Sequence, residues 1–160
     1  MNKALVLCAA LFAAACGQTQ SPAPTAPQEA AATLELRDAW AAPTPGGVDV
    51  SAGYLTIANG TSAEDQLIAV ASARAERVEI HEMTMDEAGV MRMRAVNSLA
   101  VPAGEEINLG PGGLHLMFFG VTQPFALGEE IPVTLTFANA GAIDVVLPVR
   151  AGATHGGGGH

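Results

Sequence analysis

The folded part of this chain has no cysteine to use. Only two occur, at Cys8 and Cys16, both inside the first sixteen residues. The remaining sequence therefore has no disulfide and no thiolate ligand. Lysine is almost as scarce: Lys3 stands alone, and six arginines supply the other positive charges against sixteen acids, for a formal net charge of −9. Nothing forms a basic stripe, which excludes nucleic acid as a partner. The longest apolar run covers about a dozen residues at the N-terminus, too short to span a bilayer. No helical period persists beyond about two turns. At 49% hydrophobic and 14% charged residues, the chain can still fill a core, and wholesale disorder is excluded.

The opening segment, MNKALVLCAALFAAAC, has a positive residue, an apolar stretch and small residues in the order of a secretory signal. A signal peptide over 1–15 is expected, and Ala13-Ala14-Ala15-Cys16 resembles a lipoprotein processing site with lipid on Cys16. Ala13 stands where leucine is usual at such sites. Cleavage after an A-x-A pattern by the ordinary signal peptidase is the alternative. Residues 16–33, rich in Pro, Ala, Gln and Thr, read as a tether that holds the domain off a membrane. The domain is expected over 34–150, and 151–160 as a disordered Gly/His tail.

Within 34–150, nine segments alternate apolar and polar residues: LELRDAWAA, AGYLTIAN, QLIAVASA, RVEIHEMTM, GVMRMRAV, EINLG, LHLMFFGV, EIPVTLTFANA and AIDVVLPVR. Turn signals such as TPGG, DEAG and PGG separate them. Many short strands with spacings near ten residues predict a β-sandwich or a barrel.

Methionine is distributed unevenly. Apart from the initiator there are Met83, Met85, Met91, Met93 and Met117, four of them within eleven residues. General core filler would scatter. RVEIHEMTMDEAGVMRMRAV reads as a hairpin turning at Asp86–Gly89, with Gly89 supplying a positive φ. A turn centred on Glu87 places His81 opposite Met93. Alternation puts His81, Met83, Met85, Met91 and Met93 on one face. Glu79 and Glu82 read as solvated charges on the other. In the strand of residues 114–121, Leu114, Leu116 and Phe118 face the core, while His115 and Met117 share the opposite side. Two imidazoles and two or more thioethers can thus converge from three strands. Soft, neutral donors of that kind select Cu(I) over Zn(II), Mg(II) or Ca(II). The alternative is packing alone, in a lipid-anchored scaffold or adhesion module.

The segments VEIHEMTMDEAGVMRMRAV, PAGEEINLGPGGLHLMFFG and VTLTFANAGAIDVVLPV closely resemble the periplasmic copper chaperones of the PCu(A)C type. That family carries His, an optional Met, ten spacers, Met, twenty-one spacers, then His-x-Met. Here His81, Met93, His115 and Met117 keep the required spacing, and Glu82 takes the optional position. The resemblance spans roughly Leu34 to Arg150. It implies a cupredoxin-like Greek-key β-sandwich, a single all-β domain, binding one Cu(I) through His81, Met93, His115 and Met117. Met83 would be an auxiliary donor. It further implies a periplasmic carrier that passes copper towards the CuA centre of cytochrome c oxidase, in subunit II, or to another copper carrier. Ala42 stands where the family's arginine is expected. His155 and His160 could hold Cu(II) loosely in the tail, as His- and Met-rich extensions do in some members. Without a thiolate, blue-copper electron transfer has no ligand set. With only two histidines in the domain, redox cycling is disfavoured. A monomeric carrier rather than an enzyme is expected. Its ion would be exchanged stepwise at the end of the sandwich, with Met93 and Met117 outermost.

Overall fold

The computed structural model describes residues 33–152; the expected signal, nearly all of the tether and most of the tail, with His155 and His160, lie outside the described residues. Ten strands fill the described chain and no helix occurs among them: β1 (Leu34–Ala41), β2 (Val50–Asn59), β3 (Asp65–Ala71), β4 (Ala75–Met85), β5 (Met91–Val96), β6 (Leu99–Val101), β7 (Glu106–Leu109), β8 (Leu114–Val121), β9 (Glu130–Phe137) and β10 (Gly141–Pro148). Nine of them match the segments read from alternation. The tenth, β6, has only three residues and carries no period to read.

Two antiparallel sheets stack as a sandwich. The larger has the order β1-β2-β8-β4-β5, with β7 also on β2, and the smaller has the order β10-β9-β3-β6. Connections that cross between the sheets insert β8 between β2 and β4, as in a Greek key. The fold is the expected cupredoxin-like β-sandwich. Its core lies where the inner faces meet: Leu55, Ile57, Ile80, Leu116 and Phe118 from the larger sheet against Leu67, Ile131, Leu135, Phe137 and Leu147 from the smaller, all buried. Phe118 meets the ring of Phe125 edge-on at 5.3 Å, a favoured aromatic geometry. Gly53 leaves the room this ring needs, since a Cβ there would sit 2.8 Å from Phe118.

Two buried polar side chains tie the loops to this core. Asn59 donates to the carbonyls of Ala63 and Val101 and accepts from Thr61. Asp65 accepts from the backbone N–H groups of Gln66, Asn139 and Ala140, at 2.7, 2.9 and 2.8 Å, joining β3 to the β9–β10 turn. Burial alone would push this carboxyl up, but the backbone donors outweigh it and hold it below the ordinary value. A depressed folded value means the stabilisation is fully present above the unfolded pKa of about 3.9 and is lost as pH falls through the folded value. Asp65→Asn is therefore expected to lower stability at neutral pH and to flatten the acid limb of the stability curve. Chemical denaturation of both proteins between neutrality and low pH reads this directly. Parallel acid limbs would contradict the assignment.

Candidate metal centre

The β4–β5 hairpin sets the site. Its loop is Glu87-Ala88-Gly89, with Gly89 at φ 76°. Asp86 closes it by donating its N–H to the Val90 carbonyl at 3.0 Å, and its carboxylate accepts from the N–H groups of Ala88 and Val90. A three-residue loop of this kind centres on Ala88, not Glu87, so the expected register moves by two residues. Met83 faces Met93, Met85 faces Met91, and His81 faces Ala95 rather than Met93. A shift of two keeps every side chain on its expected face.

His81 instead lies opposite His115 on β8, and Glu79 lies opposite Met117. Met117 and Met93 thus occupy diagonal positions on either side of His81, one on β8 and the other on β5. Diagonal neighbours about 7–8 Å apart are within reach of long side chains. The four expected ligands share one face: the outer face of the larger sheet, near the end where the hairpin runs beyond the first residue of β8. Met83, beside His81 and opposite Met93, shares it too.

The two imidazoles are side by side, with ring centroids 5.9 Å apart. Two rings bound to one ion have centroids about 6 Å apart or less, given metal–nitrogen bonds of about 2.0–2.1 Å. Each ring has one nitrogen fixed internally. His115 Nδ1 lies 3.0 Å from the carbonyl of Gly113, which can only accept, so Nδ1 carries the hydrogen and Nε2 keeps its lone pair. His81 Nε2 lies 2.8 Å from the Glu79 carboxylate and donates to it. His81 Nδ1 is then a lone pair, buried and without a hydrogen-bond partner. A buried acceptor left unpaired costs about 1–3 kcal/mol, unless an ion takes it.

An aromatic row encloses the pair. Tyr54 stands 6.5 Å from His115 and 4.4 Å from Trp40, with Arg150 over the indole. On the other side Phe119 stands 5.7 Å from His81, with the Arg77 guanidinium 4.1 Å above its ring. Burial pushes the Tyr54 phenol up. His115 is 4% exposed and the His81 side chain 12%, whereas Met93 is 48% exposed. Met117 is partly buried and lines a shallow hollow with Ala42, Pro43, Pro45, Val50 and Ala52. His115 is thus the most buried of the four and Met93 the most exposed, with His81 and Met117 between them, so the expectation of an outermost sulfur holds for Met93 and not for Met117. Among the described residues no three His, Asp or Glu side chains gather as a ligand cluster.

Glu79 corrects the sequence reading. It lies on the His81 face, two residues away on one strand, and alternation alone could have placed it there. The His81 N–H and then the Arg77 guanidinium hold its carboxyl below the ordinary value. Glu82 does lie on the opposite face, paired with Arg94 across the hairpin. Tyr54, Phe119 and the Gly113 carbonyl were also missed, because their proximity to the histidines depends on pairings between distant strands. Outer partners that orient a ligating imidazole typically change metal affinity about 10–100-fold when lost. Glu79→Leu is expected to weaken Cu(I) binding by that order, and Glu79→Gln, whose amide oxygen still accepts from Nε2–H, much less. Competition against a chromophoric chelator measures both. Equal affinities for the two variants would remove Glu79 from the site.

Comparison with known proteins agrees with the fold. The chain is 27% identical over 124 residues to "Putative lipoprotein Lxx21020" of Leifsonia xyli subsp. xyli (strain CTCB07), covering 78% of this chain and 74% of that protein. The copper-bound PCuAC domain from PmoF2 superposes with a TM-score of 0.64 at 22% identity, over 75% of this chain and 94% of that one. CuI-DR1885 from Deinococcus radiodurans superposes with a TM-score of 0.59 at 25% identity, over 77% and 83%. The likeness to PCu(A)C domains read from the motif is thus borne out by the fold. A family model described as "Putative lipoprotein LpqE-like" matches residues 34–149, and the chain belongs to this LpqE-like family.

Proposed function

We propose that this protein is a Cu(I) metallochaperone of the bacterial envelope, binding one ion through His81, Met93, His115 and Met117. The observation that carries the reading is the imidazole pair. Each ring has one nitrogen committed to an internal acceptor, and His81 Nδ1 is buried with no partner. Two thioethers flank that pair on the same face, and all four donors are neutral and on the soft side, as Cu(I) prefers. CuI-DR1885, 25% identical and of the same fold, supports Cu(I) as the ion.

Packing does not account for the exposed methionines Met85, Met91 and Met93. Met93 is about half exposed and Met85 more so, so the scaffold reading leaves them without a role. A carrier gives them one. The outer thioether can leave first, a ligand of the acceptor can take its place, and copper moves without being free. Nothing in this donor set requires turnover, so the protein acts as a carrier and not an enzyme. Membership of a family described as putative lipoproteins supports export; on this reading Cys16 carries the anchor and the domain works as a monomer in the periplasm. The acceptor is a cuproenzyme, with the CuA site in subunit II of cytochrome c oxidase as the first candidate and another copper carrier as the second. Cu(I)-loaded protein mixed anaerobically with an apo CuA domain is expected to give up its ion to that domain. Copper retained through prolonged incubation with every such acceptor would contradict the carrier role. Occupation of a tail site by Cu(II) is expected to depend on His155 and His160 alone.

A further inference from the structure

Met85 and Met91 belong neither to the core nor to the four proposed ligands. They are 66% and 46% exposed and face each other as the last pair before the turn. Leaving two such side chains in water forgoes the burial that normally justifies methionine. Their geometry is nonetheless fixed. The Met83 N–H points to β8, where it donates to the Gly113 carbonyl, so Met83 and Met93 form a non-hydrogen-bonded pair across the hairpin. By alternation Met85 and Met91 do too. In such pairs the side chains stand closest, with Cα atoms about 4.5 Å apart. Asp86 pins the register by accepting from Ala88, Val90 and the Arg92 guanidinium. The charged residues Glu82, Arg92 and Arg94 all lie on the hairpin's other face.

The outer face therefore presents three consecutive rungs: Met85 with Met91 at the tip, Met83 with Met93 next, and His81 with His115 innermost. Successive rungs are two residues apart, about 7 Å along a strand, a span that flexible methionine side chains can bridge. The two outer rungs offer thioethers, and the innermost offers the harder and more deeply buried imidazoles.

We propose that Met85 and Met91 form a second, weaker soft-metal site, an outer station at which Cu(I) is captured before passing inward by thioether exchange. This rests on the copper reading above. The ion keeps its charge and oxidation state throughout, and only neutral ligands exchange.

Ag(I), a soft and diamagnetic stand-in, tests this by titration into the full chain carrying Cys8→Ser and Cys16→Ser, so that no thiolate competes, with isotope-labelled methionine methyl groups and imidazoles followed by NMR. The first equivalent is expected to shift the His81 and His115 signals, and the second to shift the Met85 and Met91 methyls. The double variant Met85→Leu, Met91→Leu, which leaves no core contact behind, is expected to lose the second equivalent. If the Met85 and Met91 methyls stay in place under excess Ag(I) while the imidazoles shift, the outer site is wrong and the copper reading stands. If the imidazoles also stay in place, both fall.

Discussion

Met93→Leu combined with Met117→Leu should remove tight Cu(I) binding and leave the unfolding transition close to that of the parent chain. Leucine replaces methionine at similar volume, a swap that costs under about 1.5 kcal/mol even in a packed core. Met93 is half exposed and Met117 partly so, so the cost here is smaller. The two thioethers are half of the proposed donor set. Losing them should exceed the roughly 10–100-fold that an outer partner such as Glu79 contributes. Two imidazoles remaining alone would hold Cu(I) weakly and would lose their preference for it over harder ions. Chelator competition and thermal unfolding on one preparation separate the two effects. A double variant that binds as tightly as the parent would return both methionines to packing.

The reverse outcome is expected one residue further along the same strand. Phe118→Ala should cost about 3–5 kcal/mol, a large part of the roughly 5–15 kcal/mol by which domains are stable. Phe118 is fully buried, meets Phe125 edge-on and fills the space left by Gly53. Denaturant unfolding should show a lower midpoint with little change in slope. Copper affinity measured under conditions where the variant stays folded should fall far less than in the double methionine variant. A loss under about 1 kcal/mol would mean that the core relaxes around the deletion.

These two results divide β8 into two faces, and that division was legible in the sequence. Alternation alone assigns Leu116 and Phe118 to the core and His115 and Met117 to the other side, because the period of a strand is fixed at two. The hairpin was legible as a hairpin for a similar reason: Gly89 marks a positive φ. Its register was not, since DEAG accommodates loops that differ by a residue, and only the Asp86 hydrogen bonds select the one formed. Pairing of β4 with β8 was beyond reach as well. Residues 81 and 115 become neighbours only after β5, β6 and β7 have left and returned, and no local pattern encodes that. For the same reason Tyr54 beside His115 and Phe119 beside His81 could not be foreseen. Glu79 differs, since it shares a strand and a parity with His81.

The placement of the donors also bears on transfer. A site sealed between the sheets would require the core to open before an ion could leave. The proposed site lies on an outer face, with its nitrogens shielded by a row of rings and Met93 towards solvent. Copper could leave through Met93, on the edge strand β5, without disturbing Leu116 or Phe118.

The central claim is that His81, Met93, His115 and Met117, on one face of β4, β5 and β8, hold one Cu(I) tightly. The most direct measurement is an anaerobic titration of Cu(I) into residues 33–152, without tether and tail, against a chromophoric chelator. One ion held tightly per chain is predicted, and none when His81 and His115 are both replaced by alanine. A domain that takes no copper from the chelator, or whose double histidine variant takes as much as the parent, would contradict it.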